Sequence, residues 1–189
     1  ALLMGISVTT AAIEAGEPLP PMSRALPVVA LSAPMRAEAG NPAAEDAPLV
    51  VEAITRGVDL VLDGTASGLV TCPISKEALY ATGFNFPGHT EYLGELAYRH
   101  TGEAVQPVMM IASEHLRTVP VTIHIALKDV PAALTQEAIF STGLVAAREL
   151  ESRLAIARPR IAVAGLNPHA GEGGAMGRED IGVIAPAIS

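Results

Sequence analysis

The sequence predicts an α/β fold, and three observations carry that prediction. Short runs of β-branched or wholly apolar residues alternate with longer segments of helical periodicity, the pattern of a mainly parallel or mixed sheet covered on both faces. Half of the 189 residues are hydrophobic and only 17% are charged, which supplies a sizeable core and is not the composition of a disordered chain. With three Phe, three Tyr and no Trp, that core must be built from Ala, Val, Leu, Ile and Met, which suits helices packed closely on a parallel sheet.

The elements follow in order. Residues 6–10 are β-branched and predict a strand; residues 14–24, rich in Pro and Gly, predict a loop. A short buried strand is expected at 28–31, and an Ala/Gly/Pro-rich loop at 34–48 leads into a helix from Ala47 to about Asp63. That helix is read from Leu49, Val50, Ala53, Ile54 and Val58 at helical spacing. Residues 68–73 read as a buried strand ending in a turn, and Ser75 as the cap of a short helix through Tyr80, stopped by Gly83. After a loop at 84–90, Thr90 is expected to cap a helix carrying Tyr92, Leu93, Leu96 and Ala97 on one face. Strands are expected at 108–112, 117–125 and 160–166, and a long amphipathic helix at 135–154 with Thr135 at its cap. A glycine-rich loop spans 167–177, and Arg178 opens a last helix.

Charge and cysteine usage narrow the partners. Twelve basic against twenty acidic residues give a net charge of −8, which argues against a nucleic-acid backbone as partner. A phosphorylated small molecule stays compatible, since a site needs only local donors. The lone Cys72 has no partner for an internal disulfide, so a cytoplasmic setting is expected. No apolar run approaches the ~20 residues that span a bilayer, so no membrane association is expected. Residues 1–4 read as a last helical turn closed by Gly5, too short and without a basic flank for a signal peptide, and residue 189 falls inside a helical stretch. Both ends therefore read as cut.

Three histidines fall where a strand gives way to a loop, the place where open α/β sheets gather ligands. His124 closes the strand expected at 117–125. His169 sits in Asn167-Pro168-His169-Ala170-Gly171-Glu172-Gly173-Gly174, where Pro168 fixes the approach and the glycines permit unusual backbone angles. His89 sits in Phe86-Pro87-Gly88-His89-Thr90-Glu91, at a helix start whose free N–H groups suit an anion. Each has a plain structural alternative: a satisfied strand-end histidine at 124, an incidental surface histidine at 169, a capping Thr90 with His89 packed on Phe86. His100 and His115 lie beside charged residues and read as solvated. Cys72, at a strand end near Lys76, reads as inert rather than nucleophilic, and Met109-Met110 as core. No His-Glu-x-x-His or Cys-x-x-Cys spacing is present, so any metal site has to be assembled by the fold.

Taken in order, Thr71-Cys72-Pro73-Ile74-Ser75-Lys76, Pro87-Gly88-His89-Thr90-Glu91, Val108-Met109-Met110, Thr122-Ile123-His124 and Leu166-Asn167-Pro168-His169-Ala170-Gly171-Glu172-Gly173-Gly174 resemble the 4-hydroxythreonine-4-phosphate dehydrogenase family of vitamin B6 biosynthesis. The match is good from about residue 46 to 188 and weak before. The resemblance implies an isocitrate/isopropylmalate dehydrogenase-like fold, with α/β/α lobes flanking a cleft, here truncated at both ends. Residues 1–76 are then part of the first lobe and 77–189 part of the second. It implies a homodimer, substrate binding by His89 and Thr90, and a divalent metal (Zn, Mg, Mn or Co) held by His124 and His169. A third metal histidine belongs to a Tyr-His-Asp-Gln-Gly stretch that these residues do not contain. The implied reaction is NAD- or NADP-dependent oxidation and decarboxylation of 4-phosphohydroxy-L-threonine, on the path to pyridoxal 5'-phosphate. Cys72 stands where the family usually has glycine. That departure leaves open a related four-carbon sugar-acid phosphate (threonate or erythronate phosphate) as substrate. A truncated, non-catalytic dimerising relative is the alternative of a different class.

Overall fold

Helix α1 (Ala47–Leu62) forms over the span its periodicity predicts, with Pro48 in the first turn, where its missing N–H is no loss, and Leu49, Ile54 and Val58 buried. The computed structural model describes residues 5–38 and 40–189; the helical turn expected at 1–4 lies outside the described residues. Asp46, only 3% exposed, ties the preceding loop to the start of α1. Its carboxylate accepts the backbone N–H of Arg36 at 3.0 and 2.9 Å and that of Ala37 at 2.6 Å.

Helix α2 (Lys76–Tyr80) is capped as expected, the Ser75 hydroxyl accepting from the Ala78 N–H at 3.4 Å, and it buries Leu79. Helix α3 (His89–Thr101) begins earlier than expected. Gly88, not Thr90, is its N-cap: the extended Gly88 backbone already aims its carbonyl at the Tyr92 N–H, 3.3 Å away, so Thr90 falls inside the first turn. Gly102, in the left-handed conformation at φ 73°, ends α3. Helices α1 and α3 pack through Ile54 and Val58 against Tyr92 and Leu96, with Ile74, Phe84, Phe86 and Leu93 around them. The Thr55 and Tyr92 hydroxyls share a 2.9 Å hydrogen bond across this contact.

Strands β1 (Thr10–Ala12) and β2 (Leu26–Val28) pair in parallel, Thr10 opposite Leu26. Each is displaced from the expected 6–10 and 28–31. A ladder exists only where donors meet acceptors, and here Leu26 N–H donates to the Thr9 carbonyl and Ile13 N–H to that of Val28, at 2.9 and 3.0 Å. Strands β3 (Ile111–Ala112) and β4 (Arg117–Thr118) form a short antiparallel hairpin, which pairs only part of the strands expected at 108–112 and 117–125. Residues 68–73 and 160–166, also expected as strands, join no ladder among the described residues. Their apolar composition reports a tendency to be buried, whereas a strand also needs a neighbour in register.

Helix α4 (Val130–Ala133) leads to α5 (Gln136–Ser152), which the Thr135 hydroxyl caps by accepting from the Ala138 N–H at 3.1 Å. Helix α5 buries Ile139, Thr142 and Ala146. A π-helical turn, Asp180–Ile184, and α6 (Ala185–Ala187) pack on α5, and the Gln136 side chain donates to the Gly182 carbonyl at 3.1 Å. The last helix thus opens at Asp180 rather than Arg178.

The chain forms two compact units, Ala1–Pro107 and Val108–Ser189. Helices α2 and α3 pack on α1 within the first unit. Among the described residues no helix is long and apolar enough to cross a membrane.

Candidate functional site

In the first unit, an aromatic cluster fixes the turn that carries His89 and Thr90. The rings of Phe84, Phe86 and Tyr92 pack with centroids 5.0 to 5.3 Å apart, anchoring the chain on both sides of Pro87-Gly88. His89 and Thr90 are the first two residues of α3, and both are half-buried. No side chain caps this helix end. His89 Nε2 and Glu91 Oε2 are buried without a hydrogen-bond partner among the described residues. Glu91 folds back toward the N-cap, its Oε2 3.5 Å from where a Cβ on Gly88 would stand. Buried polar atoms are nearly always paired, so two orphans within one turn stand out.

In the second unit, the loop around His169 is shaped by its own hydrogen bonds. The Asn167 side-chain oxygen accepts the His169 N–H at 2.9 Å, and the Asn167 carbonyl accepts the Ala170 N–H at 2.8 Å. Glu172 N–H donates to the His169 carbonyl at 3.0 Å, and Met176 N–H to that of Gly171 at 3.0 Å. Asn two residues before a presented side chain is the sequence signal for such an Asx turn, and Asn167 is the residue that shapes this loop beyond the candidates named above. His169 Nδ1 lies 3.3 Å from Glu172 Oε1, and both side chains are exposed. Packing demands glycine at 171: its φ is 72°, and an added Cβ would stand 2.6 Å from the Gly177 carbonyl oxygen.

His124 is exposed, in an irregular stretch between β4 and α4, and its φ is 56°. Non-glycine residues avoid that region, and strain of this kind clusters at functional sites. Among the described residues the others at positive φ are Ala155, Arg158, Ala170 and Glu172, and the last two flank Gly171 beside His169. The backbone is thus forced at or next to both histidines expected to bind metal. Among the described residues no three His, Cys, Asp or Glu side chains stand together as a metal site. The chemistry at His169 still suits a divalent ion in kind: a carboxylate beside Nδ1 leaves Nε2 as the lone-pair donor, the usual arrangement of a ligating histidine. Cys72, His100 and His115 are exposed.

Comparison with known proteins shows which family this α/β chain resembles. A crystal structure of 4-hydroxythreonine-4-phosphate dehydrogenase from Klebsiella pneumoniae matches with a TM-score of 0.79 and 35% identity, over 96% of this chain and 55% of that one. The family model described as pyridoxal phosphate biosynthetic protein PdxA matches residues 3–189, and the chain belongs to that family. Among curated relatives, 4-hydroxythreonine-4-phosphate dehydrogenase of Bradyrhizobium diazoefficiens is 49% identical over 185 residues, covering 98% of this chain and 53% of the relative. The Caulobacter vibrioides enzyme of the same name is 53% identical over 165 residues, 87% of this chain and 50% of the relative. The chain spans about half the length of the curated relatives it matches.

Proposed function

We propose that this chain is part of an NAD- or NADP-dependent 4-hydroxythreonine-4-phosphate dehydrogenase of pyridoxal phosphate biosynthesis. The observation that carries the reading is the 49% identity, over nearly the whole chain, to a relative of that name. The orphaned His89 Nε2 at the start of α3 supports it from within the molecule. In this reading the two lobes are of the isocitrate/isopropylmalate dehydrogenase type, the protein is a cytoplasmic homodimer, and the substrate is a phosphorylated small molecule.

The chain's own residues take defined parts. His89 and Thr90 bind and orient the substrate at the first turn of α3, where imidazole, hydroxyl and uncapped backbone N–H groups meet. The aromatic cluster below holds that turn rigid, so little order has to be gained on binding. His124 and His169 would hold a divalent metal, with Glu172 fixing the His169 tautomer through Nδ1. A bound metal would supply the charge that acidifies a substrate hydroxyl, and a nicotinamide cofactor would supply the hydride-accepting chemistry.

The test is an assay of the full-length gene product with 4-phosphohydroxythreonine and each nicotinamide cofactor, with and without a chelator. Reduced cofactor forming only with metal present is the expected result. Turnover that a chelator leaves untouched removes the metal role, and turnover confined to phosphorylated threonate or erythronate moves the substrate to the sugar acids, the reading Cys72 leaves open.

A further inference from the structure

We propose that Glu91 is a substrate-contacting residue beside His89 and Thr90, its Oε2 accepting a hydrogen bond from a hydroxyl or ammonium group of the phosphorylated substrate. The assignment rests on the dehydrogenase reading above and deepens it.

Two observations carry it. Glu91 occupies the third helical position of α3, where a glutamate ordinarily reaches back to the N-cap N–H and satisfies it. Here the side chain does fold back over Gly88, yet it makes no cap hydrogen bond, and Oε2 is buried without a partner. A carboxylate oxygen left so destabilises the folded chain until a donor reaches it. The second observation is His89 Nε2, also buried and unpartnered, two residues earlier. One turn therefore presents an imidazole nitrogen and a carboxylate oxygen that nothing in the described chain uses. Phe86 before and Tyr92 after pack into the α1–α3 core and anchor the backbone of that turn.

The chemistry selects which part of the ligand faces Oε2. A carboxylate needs a donor, and a phosphate ester near neutral pH offers little but negative charge, which repels it. The hydroxyl- or ammonium-bearing part of the substrate thus meets Oε2, and the phosphate lies away from it. Glu95, one turn further along, is engaged by Arg99 at 2.7 Å and serves as the control.

The experiment measures substrate affinity by calorimetry on the full-length gene product, with cofactor turnover and melting temperature recorded on the same samples. The variants are Glu91→Gln, Glu91→Asp and Glu95→Gln, and the ligands are 4-phosphohydroxythreonine and 4-phosphothreonate. The expected result for Glu91→Gln is a Kd raised at least about tenfold, with a melting temperature equal to or above that of the unmodified protein. Glu91→Asp, which keeps the charge but withdraws it by one methylene, is expected to fall between, and Glu95→Gln to leave Kd unchanged. A loss only with the amino compound assigns the donor as the ammonium; a loss with both shows that a hydroxyl serves as donor, since 4-phosphothreonate carries a hydroxyl in the ammonium's place. Kd within twofold of the unmodified protein in both Glu91 variants overturns the assignment and leaves the dehydrogenase reading standing. Binding without turnover overturns the dehydrogenase reading while Kd still judges Glu91. An unmodified protein that binds neither ligand overturns both.

Discussion

His169 Nδ1 and Glu172 Oε1 lie 3.3 Å apart on a loop whose backbone is held at positive φ from Ala170 to Gly174. A carboxylate beside Nδ1 keeps the proton there and frees Nε2 to donate its lone pair. Substituting Glu172→Gln is expected to weaken metal binding by the full-length gene product by about 10- to 100-fold. Competition against a chelating dye reads this directly, and an unaltered affinity would remove Glu172 from the metal site.

Gly171 is expected to tolerate no side chain. Gly171→Ala has to hold an L-residue at φ 72° and place a Cβ 2.6 Å from a backbone oxygen that has no rotamer to escape by. The left-handed backbone alone costs about 1–2 kcal/mol. The variant should melt at lower temperature and bind metal more weakly, because the same loop presents His169. A variant with unchanged stability would show that the loop relaxes freely.

The hydrogen bond between Thr55 and Tyr92 gives a local measure of the α1–α3 contact. Tyr92→Phe keeps the ring among Phe84 and Phe86 and removes only the hydroxyl. Thr55 retains its bond to the Val51 carbonyl, so no new orphan is created on α1. The expected loss is about 0.5–1.5 kcal/mol in denaturant unfolding. A much larger loss would mean that the ring itself had moved.

Helices were the legible part of this fold, and the reason is their locality. α1 and α5 announced themselves by apolar spacing, and Ser75 and Thr135 by the hydroxyl needed at an N-cap, all within a few residues of the element concerned. The start of α3 misled because Thr90 has the cap chemistry, yet the extended Gly88 backbone reaches the Tyr92 N–H first. Strands were less legible because each is half of a pair: residues 6–10 look as strand-like as 10–12, and only the position of Leu26 decides between them. Among the candidate residues, His89, Thr90, His124 and His169 stand out in the sequence by their place at expected element ends and by motif. The positive φ of His124 and the orphaned oxygen of Glu91 were not, since both depend on how distant chain directs the local backbone.

Acid sensitivity is expected in the loop before α1. The Ser32 hydroxyl, with the Ser32 N–H and Arg56, holds the Glu52 carboxyl below its ordinary value of 4.5. A group whose folded value is depressed stabilises the fold above its unfolded value and loses that contribution as pH falls through the folded one. Compared by denaturant unfolding from about pH 7 to about pH 3, Glu52→Gln should be the less stable at neutrality, and the gap should close at the acid end. A gap independent of pH would assign the effect to packing.

The unladdered apolar stretches bear on how these 189 residues behave in a test tube. Val70 is 97% exposed, Leu69 37%, Ile161 46% and Val163 37%, all in chain that joins no ladder among the described residues. Such strips are adhesive to one another, and molecules carrying them clump as concentration rises, long before heat unfolds them. The net charge of −8 keeps molecules apart at neutral pH and fades toward the isoelectric point near 5.0. Mild acidification would therefore turn a clear solution cloudy while the helices are still intact.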